Sequence, residues 1–297
     1  MSKPTRNEYT YAEFIKEYPN DDVCLEKIFQ MTYGRMQRCP KCKSELGYVR
    51  VKNRKAYQCR KCYNQVYPLL GTAFARTKIP LTMWFYGIFM FTVSKNGLSA
   101  HELSRAIGVS PKTALRMLKK TREFIYNDQS KMSGEVQIDE TFVGGKNKNR
   151  HYDKKVKQSQ GRSYKDKVPV IGMIESGSGR AIAVVAHNVT RRVLHPILLD
   201  HIERGTVLLT DEYRGYQGLE RFFRRKMCNH SKKQFTNDGA STNAVENLWS
   251  CLKRTIHGSY IKVSKKYLHL YVKEAVFRFN HRYNPNIFKE LLSCLVF

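Results

Sequence analysis

The chain has 297 residues, enough to bury the cores of two or three compact units, so it is not a short peptide module. Lysine and arginine number 53 against 25 acidic residues, and the resulting formal net charge of +28 is typical of proteins that bind nucleic acid. The basic residues recur in every segment among 18 Tyr and 15 Phe, which argues against a disordered basic tail. Charge alone leaves open an anionic lipid surface or a merely basic soluble protein.

Two features of the sequence favour a cytoplasmic, nucleoid-associated protein. The longest apolar run, at 79–93, is shorter than the roughly 18 to 20 residues that a membrane span needs, so it predicts a buried helix. The start of the chain, Met1-Ser2-Lys3-Pro4, lacks the apolar stretch and the small-residue cleavage site of a secretory signal.

The first two predicted segments are an N-terminal helical segment at 1–35, with one helical pattern over 11–29, and a zinc ribbon at 36–70. The ribbon contains two CxxC pairs that are separated by sixteen residues, Cys39, Cys42, Cys59 and Cys62. Four thiolates complete a tetrahedral shell around one structural Zn²⁺ with no position left for substrate. A redox CxxC would need no second copy, and the isolated positions of the other four cysteines do not suggest a disulfide framework.

Residues 71–130 predict a helical, helix-turn-helix-like DNA-binding region. Ser99 followed by Glu102 is a capping-box pattern, Gly108 suits a tight turn, and Ser110-Pro111 opens a second helix that runs to about 123. Two such helices also occur in proteins that never meet DNA, so the DNA-binding interpretation depends on the charge. The polar and basic side chains that we predict for a major groove are Thr113, Arg116, Lys119, Lys120 and Arg122.

Residues 131–297 predict an α/β domain with a mixed sheet flanked by helices. Strand patterns lie at 135–143, 168–175, 181–186 and 206–210, and helical patterns at 191–203, 244–257 and 264–281. The stretch 146–167, which begins at Lys146, holds nine basic and two acidic residues without an apolar period and predicts a loop. A DNA-contacting arm and a solvated insertion are both open for this basic loop.

Three acidic residues suggest catalysis. Asp139 lies inside one apolar strand and Asp211 ends another, and a carboxylate there is costly unless it is paired or bound to a metal. Glu246 lies on a predicted helix beside its apolar stripe, with Lys253 on the same face. Taken singly, each acid also fits a strand-end cap, a salt bridge or an ordinary surface helix. Together, three carboxylates can hold two Mg²⁺ or Mn²⁺ ions for in-line phosphodiester transfer.

Several motifs resemble one known family, the zinc-ribbon DDE transposases of bacterial insertion sequences, relatives of the Merlin elements. The resemblance extends from the cysteine pairs through IDETFVGGK at 138–146, TDEYRGY at 210–216, TNAVENLWSCLKR at 242–254 and FNHR at 279–282. It implies an RNase H-like catalytic domain in which Asp139, Asp211 and Glu246 form the metal triad. It also implies that Lys253, with Arg254, lies near the DNA backbone. Asn247 follows Glu246 where we expect Gly, and relatives vary in the third ligand, so Asn247 stays a rival ligand.

The resemblance further implies metal-dependent DNA cleavage and strand transfer at insertion-sequence ends. The expected partners are the terminal repeats, target DNA and further copies of the chain, in a homodimer or larger assembly. Two alternatives stay open: a zinc-ribbon and helix-turn-helix DNA-binding regulator without catalysis, and a metal-dependent nuclease that does not join DNA.

Overall fold

The computed structural model describes residues 9–34, 36, 38–144, 151–156, 167–227 and 243–296. Lys146 and much of the predicted basic loop lie outside the described residues. The chain divides into two compact units, one of residues 1–126 together with 283–297, the other of residues 127–282. None of the helices in the described part of the chain is long and apolar enough to cross a bilayer.

The first unit begins with two helices, α1 (Tyr11–Glu17) and α2 (Asp21–Tyr33). The prediction of one helix over 11–29 is therefore wrong. Pro19 has no N–H for a continuous helix, and the side chain of Asn20 accepts the Val23 N–H at 3.0 Å to cap α2. The helix break at Pro19 and Asn20 therefore divides the apolar pattern of 11–29 between two helices.

A three-stranded antiparallel sheet follows, in the order β1 (Tyr48–Arg50), β2 (Tyr57–Cys59) and β3 (Gln65–Val66). Three helices come next, α3 (Leu81–Val93), α4 (Ala100–Ile107) and α5 (Pro111–Phe124). The predicted N-caps of α4 and α5 are present, since Ser99 Oγ accepts the Glu102 N–H at 3.1 Å and Ser110 Oγ accepts the Thr113 N–H at 3.3 Å. Gly108 ends α4 with a φ of 67°, a left-handed conformation that favours glycine.

The second unit is built on a five-stranded mixed sheet. Its strands are β4 (Glu135–Val143), β5 (Val168–Glu175), β6 (Ala181–Val185), β7 (Val207–Thr210) and β8 (Arg224–Met227), in the spatial order β6-β5-β4-β7-β8. The pairs β4–β5 and β5–β6 are antiparallel, whereas β4–β7 and β7–β8 are parallel. The sequence did not predict β8 because this edge strand reads Arg-Arg-Lys-Met and has no apolar alternation.

Helices cover both faces of this sheet. Helix α6 (Arg191–His201) packs on one face, where Leu194 and Leu198 join Val136 and Ile138 in a buried cluster. Helices α7 (Asn243–Thr255) and α8 (Leu268–Asn280) pack on the other face. The alternation of β4 therefore sends Val136 and Ile138 to the α6 face and leaves Asp139 facing α7. The predicted α/β class, an RNase H-like mixed sheet flanked by helices with a zinc ribbon before it in the chain, is confirmed.

A last helix, α9 (Ile287–Val296), clusters with the first unit, where the Ala73 N–H donates to the Leu295 carbonyl at 2.9 Å. The predicted division assigned all of 131–297 to the catalytic domain. The sequence pattern could not show that this terminal segment joins the residues at the start of the chain, because that pairing is made only in space.

Candidate functional site

The four cysteines of the ribbon lie together at zinc-binding distances. The Sγ atoms of Cys39 and Cys62 are 3.7 Å apart, as are those of Cys42 and Cys59, and all four sulfurs lie within 4.8 Å of one another. A tetrahedral zinc ion with Zn–S bonds of about 2.3 Å separates its sulfurs by roughly 3.8 Å, so the cluster fits a structural zinc. The backbone N–H groups of Cys42 and Lys41 also lower the pKa of the Cys39 thiol to about 6, which favours the thiolate that a metal needs.

On α5, the structure separates the five predicted groove residues. The prediction is wrong for Arg122, which is 2% exposed and whose guanidinium lies over the Phe91 ring, 5.9 Å from its centroid. Arg116 is exposed and Lys119 is half-buried within 3.5 Å of Glu123, whereas Thr113 shares a hydroxyl contact with Ser110 at 3.0 Å. Lys120 turns away from this face, since its ammonium donates to the carbonyls of Ala73 at 3.1 Å and Ala75 at 3.4 Å. Burial lowers the pKa of Lys120, in keeping with a position against the neighbouring loop.

The solvent face of α5 also includes two residues that the sequence analysis missed, Lys112 and Leu115, which are both exposed. They lie four residues before Arg116 and Lys119 respectively, so the helical period could have identified them. We refer to Lys112, Leu115, Arg116 and Lys119 as the α5 outer face.

The parallel pairing of β4 with β7 brings Asp139 and Asp211 to the same end of the sheet. Glu135 pairs with Val207 and Gln137 with Leu209, so each acid lies two residues beyond the last paired position, and the charge of Asp211 acts on Asp139. The N–H of Tyr213 donates to Asp211 Oδ1 at 2.9 Å, which orients that carboxylate. Strand pairing therefore juxtaposes two acids that are far apart in sequence.

Helix α7 brings Glu246 to the same end of the sheet. The N–H of Ala244 in its first turn has no acceptor within the helix and donates to Gln137 Oε1 at 3.1 Å, which ties the start of α7 to the strand of Asp139. Glu246 is exposed two residues later, and its charge acts on Asp139. The rival ligand Asn247 is also exposed, but its Oδ1 lies 3.9 Å from Cys251 Sγ along the helix.

Asp139 and Asp211 are half-buried, whereas Glu246 is exposed. Burial raises the pKa of the Asp139 carboxyl above the usual range, and the negative charges of Asp211 and Glu246 raise it further. A hydrogen bond from the Trp249 indole N–H to Asp139 Oδ2, at 2.9 Å, acts in the opposite direction. The negative charges of Asp211 and Glu246 that act on Asp139 make this an electronegative site, whose repulsion a divalent cation would relieve.

The acids are spread more widely than the cysteines. Among the described residues, only the cysteine cluster has at least three ligand atoms that all lie within 4.8 Å of one another. A pair of hard cations can bind carboxylates whose oxygens are more than 4.8 Å apart. The reason is that the two ions lie about 3.5 to 4 Å from each other, and each adds metal–oxygen bonds of about 2.0 to 2.1 Å. The all-oxygen donor set and the raised pKa of Asp139 fit Mg²⁺ or Mn²⁺.

The two basic residues predicted beside this site differ in conformation. Lys253 is exposed and lies seven residues after Glu246, so both occupy the same face of α7. The exposed Arg254 folds along its own helix, where its Nε lies 3.3 Å from the Ser250 carbonyl and its Nη2 lies 3.6 Å from Cys251 Sγ.

Arg225, on the unpredicted strand β8, fixes the end of β7. Its Nε donates to Thr210 Oγ1 at 2.8 Å and its Nη2 to the Asp211 carbonyl at 3.0 Å, and its side chain is 5% exposed. Its guanidinium also lies over the Tyr216 ring, 5.8 Å from the centroid. No pattern in the sequence predicts this role, because the partners of Arg225 are defined only by the parallel strand pairing.

Behind the acids, Tyr216 supports the strand of Asp139 through the next residue, Glu140. Tyr216 is fully buried, and its hydroxyl donates to Glu140 Oε2 at 2.7 Å. Burial and the Glu140 charge both raise the pKa of Tyr216, so the phenol stays a donor at any physiological pH.

We expect Tyr216→Phe to lower the free energy of unfolding of the 127–282 unit by about 1 to 3 kcal/mol, because a buried carboxylate loses a donor. Denaturant unfolding measures the loss. Tyr213→Phe is the matched control, since the Tyr213 hydroxyl donates to the Val189 carbonyl at a longer 3.2 Å in a half-buried position. A loss from Tyr216→Phe no larger than that from Tyr213→Phe would contradict this role.

Comparison with known proteins gives the class to which this arrangement belongs. Residues 131–280 match the family of the ISXO2-like transposase domain, and residues 19–65 match the transposase zinc-ribbon domain. The chain therefore belongs to the ISXO2-like transposase family, with a zinc ribbon before the transposase domain.

Two relatives are similar in sequence to this chain. The chain is 25% identical to an uncharacterized protein in transposable element ISH50 of Halobacterium salinarum, over 81% of this chain and 84% of that protein. It is 29% identical to an uncharacterized transposase-like protein of Haemophilus influenzae, over 34% of this chain and 82% of that protein.

Among solved structures, a chain of the simian T-cell lymphotropic virus intasome in complex with PP2A regulatory subunit B56 gamma aligns over 63% of this chain and 66% of that chain. Its identity of 13% and TM-score of 0.30 are too low to bear on function.

Proposed function

We propose that this chain is a transposase that cuts and joins DNA at insertion-sequence ends, with Asp139, Asp211 and Glu246 as the metal ligands. The observation that supports this most directly is the electrostatic effect of Asp211 and Glu246 on the shielded Asp139. Membership of the transposase family and the charge of +28 agree with a DNA substrate. Such a substrate would place the protein at the nucleoid, in the cytoplasm.

The chain's own residues would act by position and charge. Gln137 holds the start of α7 against β4 and so keeps Glu246 beside Asp139. Tyr213 orients the Asp211 carboxylate, and Arg225 fixes the strand end that carries it. Two Mg²⁺ ions, when bound, would activate water or a DNA 3′-hydroxyl and stabilise the leaving oxygen. Lys253, on the face of Glu246, is placed to contact a phosphate.

Glu246 is the third ligand that we favour over Asn247. The carboxylate of Glu246 acts on Asp139, whereas the amide oxygen of Asn247 lies near Cys251 on the same helix. A carboxylate also binds a hard divalent cation more strongly than an amide does. In the proposed organisation, residues 36–70 and 71–130 recognise the ends and 131–297 hold the catalytic site, with two or more copies assembled on DNA.

Strand transfer with purified protein, terminal-repeat duplexes and Mg²⁺ tests this function against its two alternatives. A transposase joins the cut 3′ ends to target DNA. Cleavage without joining would identify a nuclease. Metal-independent binding without cleavage under Mg²⁺ or Mn²⁺ would identify a regulator.

For DNA contact by α5, we expect Arg116→Ala to weaken binding to duplex DNA and to reduce the log-log salt slope by about 0.9, the value for one phosphate contact. Lys120→Ala is the matched control, because its ammonium is bound to the carbonyls of Ala73 and Ala75. We expect that variant to keep the slope and to lose stability instead. Measurement of DNA affinity across a salt series gives the slope for both variants. If Lys120→Ala reduces the slope and Arg116→Ala does not, the α5 outer face is not the DNA-binding surface.

A further inference from the structure

We infer that Trp249 and Gly172 act as a positioning pair for the Asp139 carboxylate, in which Gly172 supplies the space and Trp249 the hydrogen bond. This inference rests on the proposed role of Asp139 as a metal ligand. It adds two residues that touch neither the metal ions nor DNA in the proposed mechanism.

The first observation is the indole hydrogen bond. Trp249 is 4% exposed, and its Nε1 donates to Asp139 Oδ2 at 2.9 Å. A buried indole N–H needs an acceptor, and a rigid ring fixed by packing defines the direction of the bond. One oxygen of Asp139 is thereby held, and the backbone N–H of Glu140 also donates to this carboxylate, so the orientation of the acid is defined.

The second observation is the absence of a side chain at Gly172. Gly172 is the strand partner of Asp139 in the β4–β5 register. A Cβ at this position would lie 2.5 Å from Cζ2 and 2.6 Å from Cη2 of Trp249, and 3.4 Å from Cγ1 of Val245. Real Cβ atoms do not approach ring atoms so closely, so any larger residue would displace the indole.

Together these contacts determine where the indole can lie. Val245 and Trp249 lie on one face of α7 in a common buried cluster with the sheet, so the helix cannot retreat from the strand without opening the core. The glycine lets the ring pass over β5 to reach the acid on β4. Partners that hold a metal ligand by hydrogen bonds typically change metal affinity or activity by about 10- to 100-fold when they are removed.

The test is strand transfer as a function of Mg²⁺ concentration, with the full-length chain. We expect Trp249→Phe, which removes the N–H but keeps an aromatic ring, to raise the half-saturating Mg²⁺ concentration by about 10-fold or more. Much of the rate should return at saturating Mg²⁺. A merely structural role would lower the rate at every concentration and leave the half-saturating value unchanged, which would overturn the proposal.

Trp84→Phe is the matched control. Trp84 is also 4% exposed and donates its indole N–H to Thr77 Oγ1 at 2.8 Å, but it belongs to the first unit. We expect this variant to leave the half-saturating Mg²⁺ concentration unchanged. Since the chain has 2 Trp, it also leaves Trp249 as the sole tryptophan. Addition of Mn²⁺ alone should then quench Trp249 emission, and Asp139→Asn in that background should shift the quenching to higher Mn²⁺.

A double-mutant cycle tests the glycine. Gly172→Ala alone should raise the half-saturating Mg²⁺ concentration as Trp249→Phe does. The two changes together should do no more than Trp249→Phe, since a phenyl ring is too short to reach the positions of Cζ2 and Cη2. If the fold-changes in the half-saturating Mg²⁺ concentration of the two single variants multiply in the double variant, the proposal that Gly172 and Trp249 act as a pair is overturned. If Asp139→Asn abolishes joining and Trp249→Phe titrates like the wild type, only this inference fails, whereas normal joining by Asp139→Asn removes the proposed function itself.

Discussion

Asp139→Asn should reduce strand transfer by about 10³-fold or more. Metal ions contribute several kcal/mol of transition-state stabilisation, each 1.36 kcal/mol is tenfold in rate, and an amide at this position cannot supply the charge that holds them. Gel assays of cleavage and joining with end duplexes and Mg²⁺ measure the loss.

The same substitution should leave the metal-free protein at least as stable as the wild type at neutral pH. Burial and the charges of Asp211 and Glu246 raise the pKa of Asp139, so the folded state disfavours its ionised form. A neutral isostere removes that cost and can still accept the Trp249 N–H. Thermal unfolding of the metal-free variant therefore shows whether strand transfer is lost because the metal ligand is missing or because the protein no longer folds.

Asp200→Asn is the matched control for Asp139→Asn. Asp200 is exposed on α6, which covers the sheet face opposite α7, so the same chemical change should leave joining unaffected. Joining at the wild-type rate by Asp139→Asn would refute the proposed triad.

Cys59→Ser should abolish stoichiometric zinc binding and unfold the ribbon. Structural zinc sites have apparent binding free energies of about 10 to 16 kcal/mol in small peptides, which is as large as the stability of many whole domains. Metal analysis of the purified protein, together with limited proteolysis within 38–70, measures both effects. Treatment with a chelator should reproduce them in the wild type.

The control is Cys294→Ser, which changes a half-buried cysteine of α9 outside the cluster. This variant should retain one zinc ion per chain and the protease resistance of the ribbon. Retention of a full zinc equivalent by Cys59→Ser would contradict a four-cysteine site, because three thiolates would then be enough.

The sequence by itself determined the features that depend on local pattern. Cysteine spacing identified the ribbon, the caps at Ser99 and Ser110 identified α4 and α5, and the apolar runs identified most of the sheet. These signals arise within a few residues of one another, where backbone geometry and ligand spacing fix the outcome. Local patterns also identified Asp139, Asp211 and Glu246 as candidate ligands. They could not show how close the three side chains lie in space.

The tertiary structure decided what depends on contacts between distant segments. Strand pairing brought Asp139 and Asp211 to the same end of the sheet, and the packing of α7 on the sheet put Trp249 into the space at Gly172. The orientation of Lys120 into a loop, the role of Arg225 and the return of α9 to the first unit also depend on such contacts. Their physical reason is the same: a hydrogen bond or a steric fit is set by three-dimensional proximity, which a one-dimensional pattern does not contain.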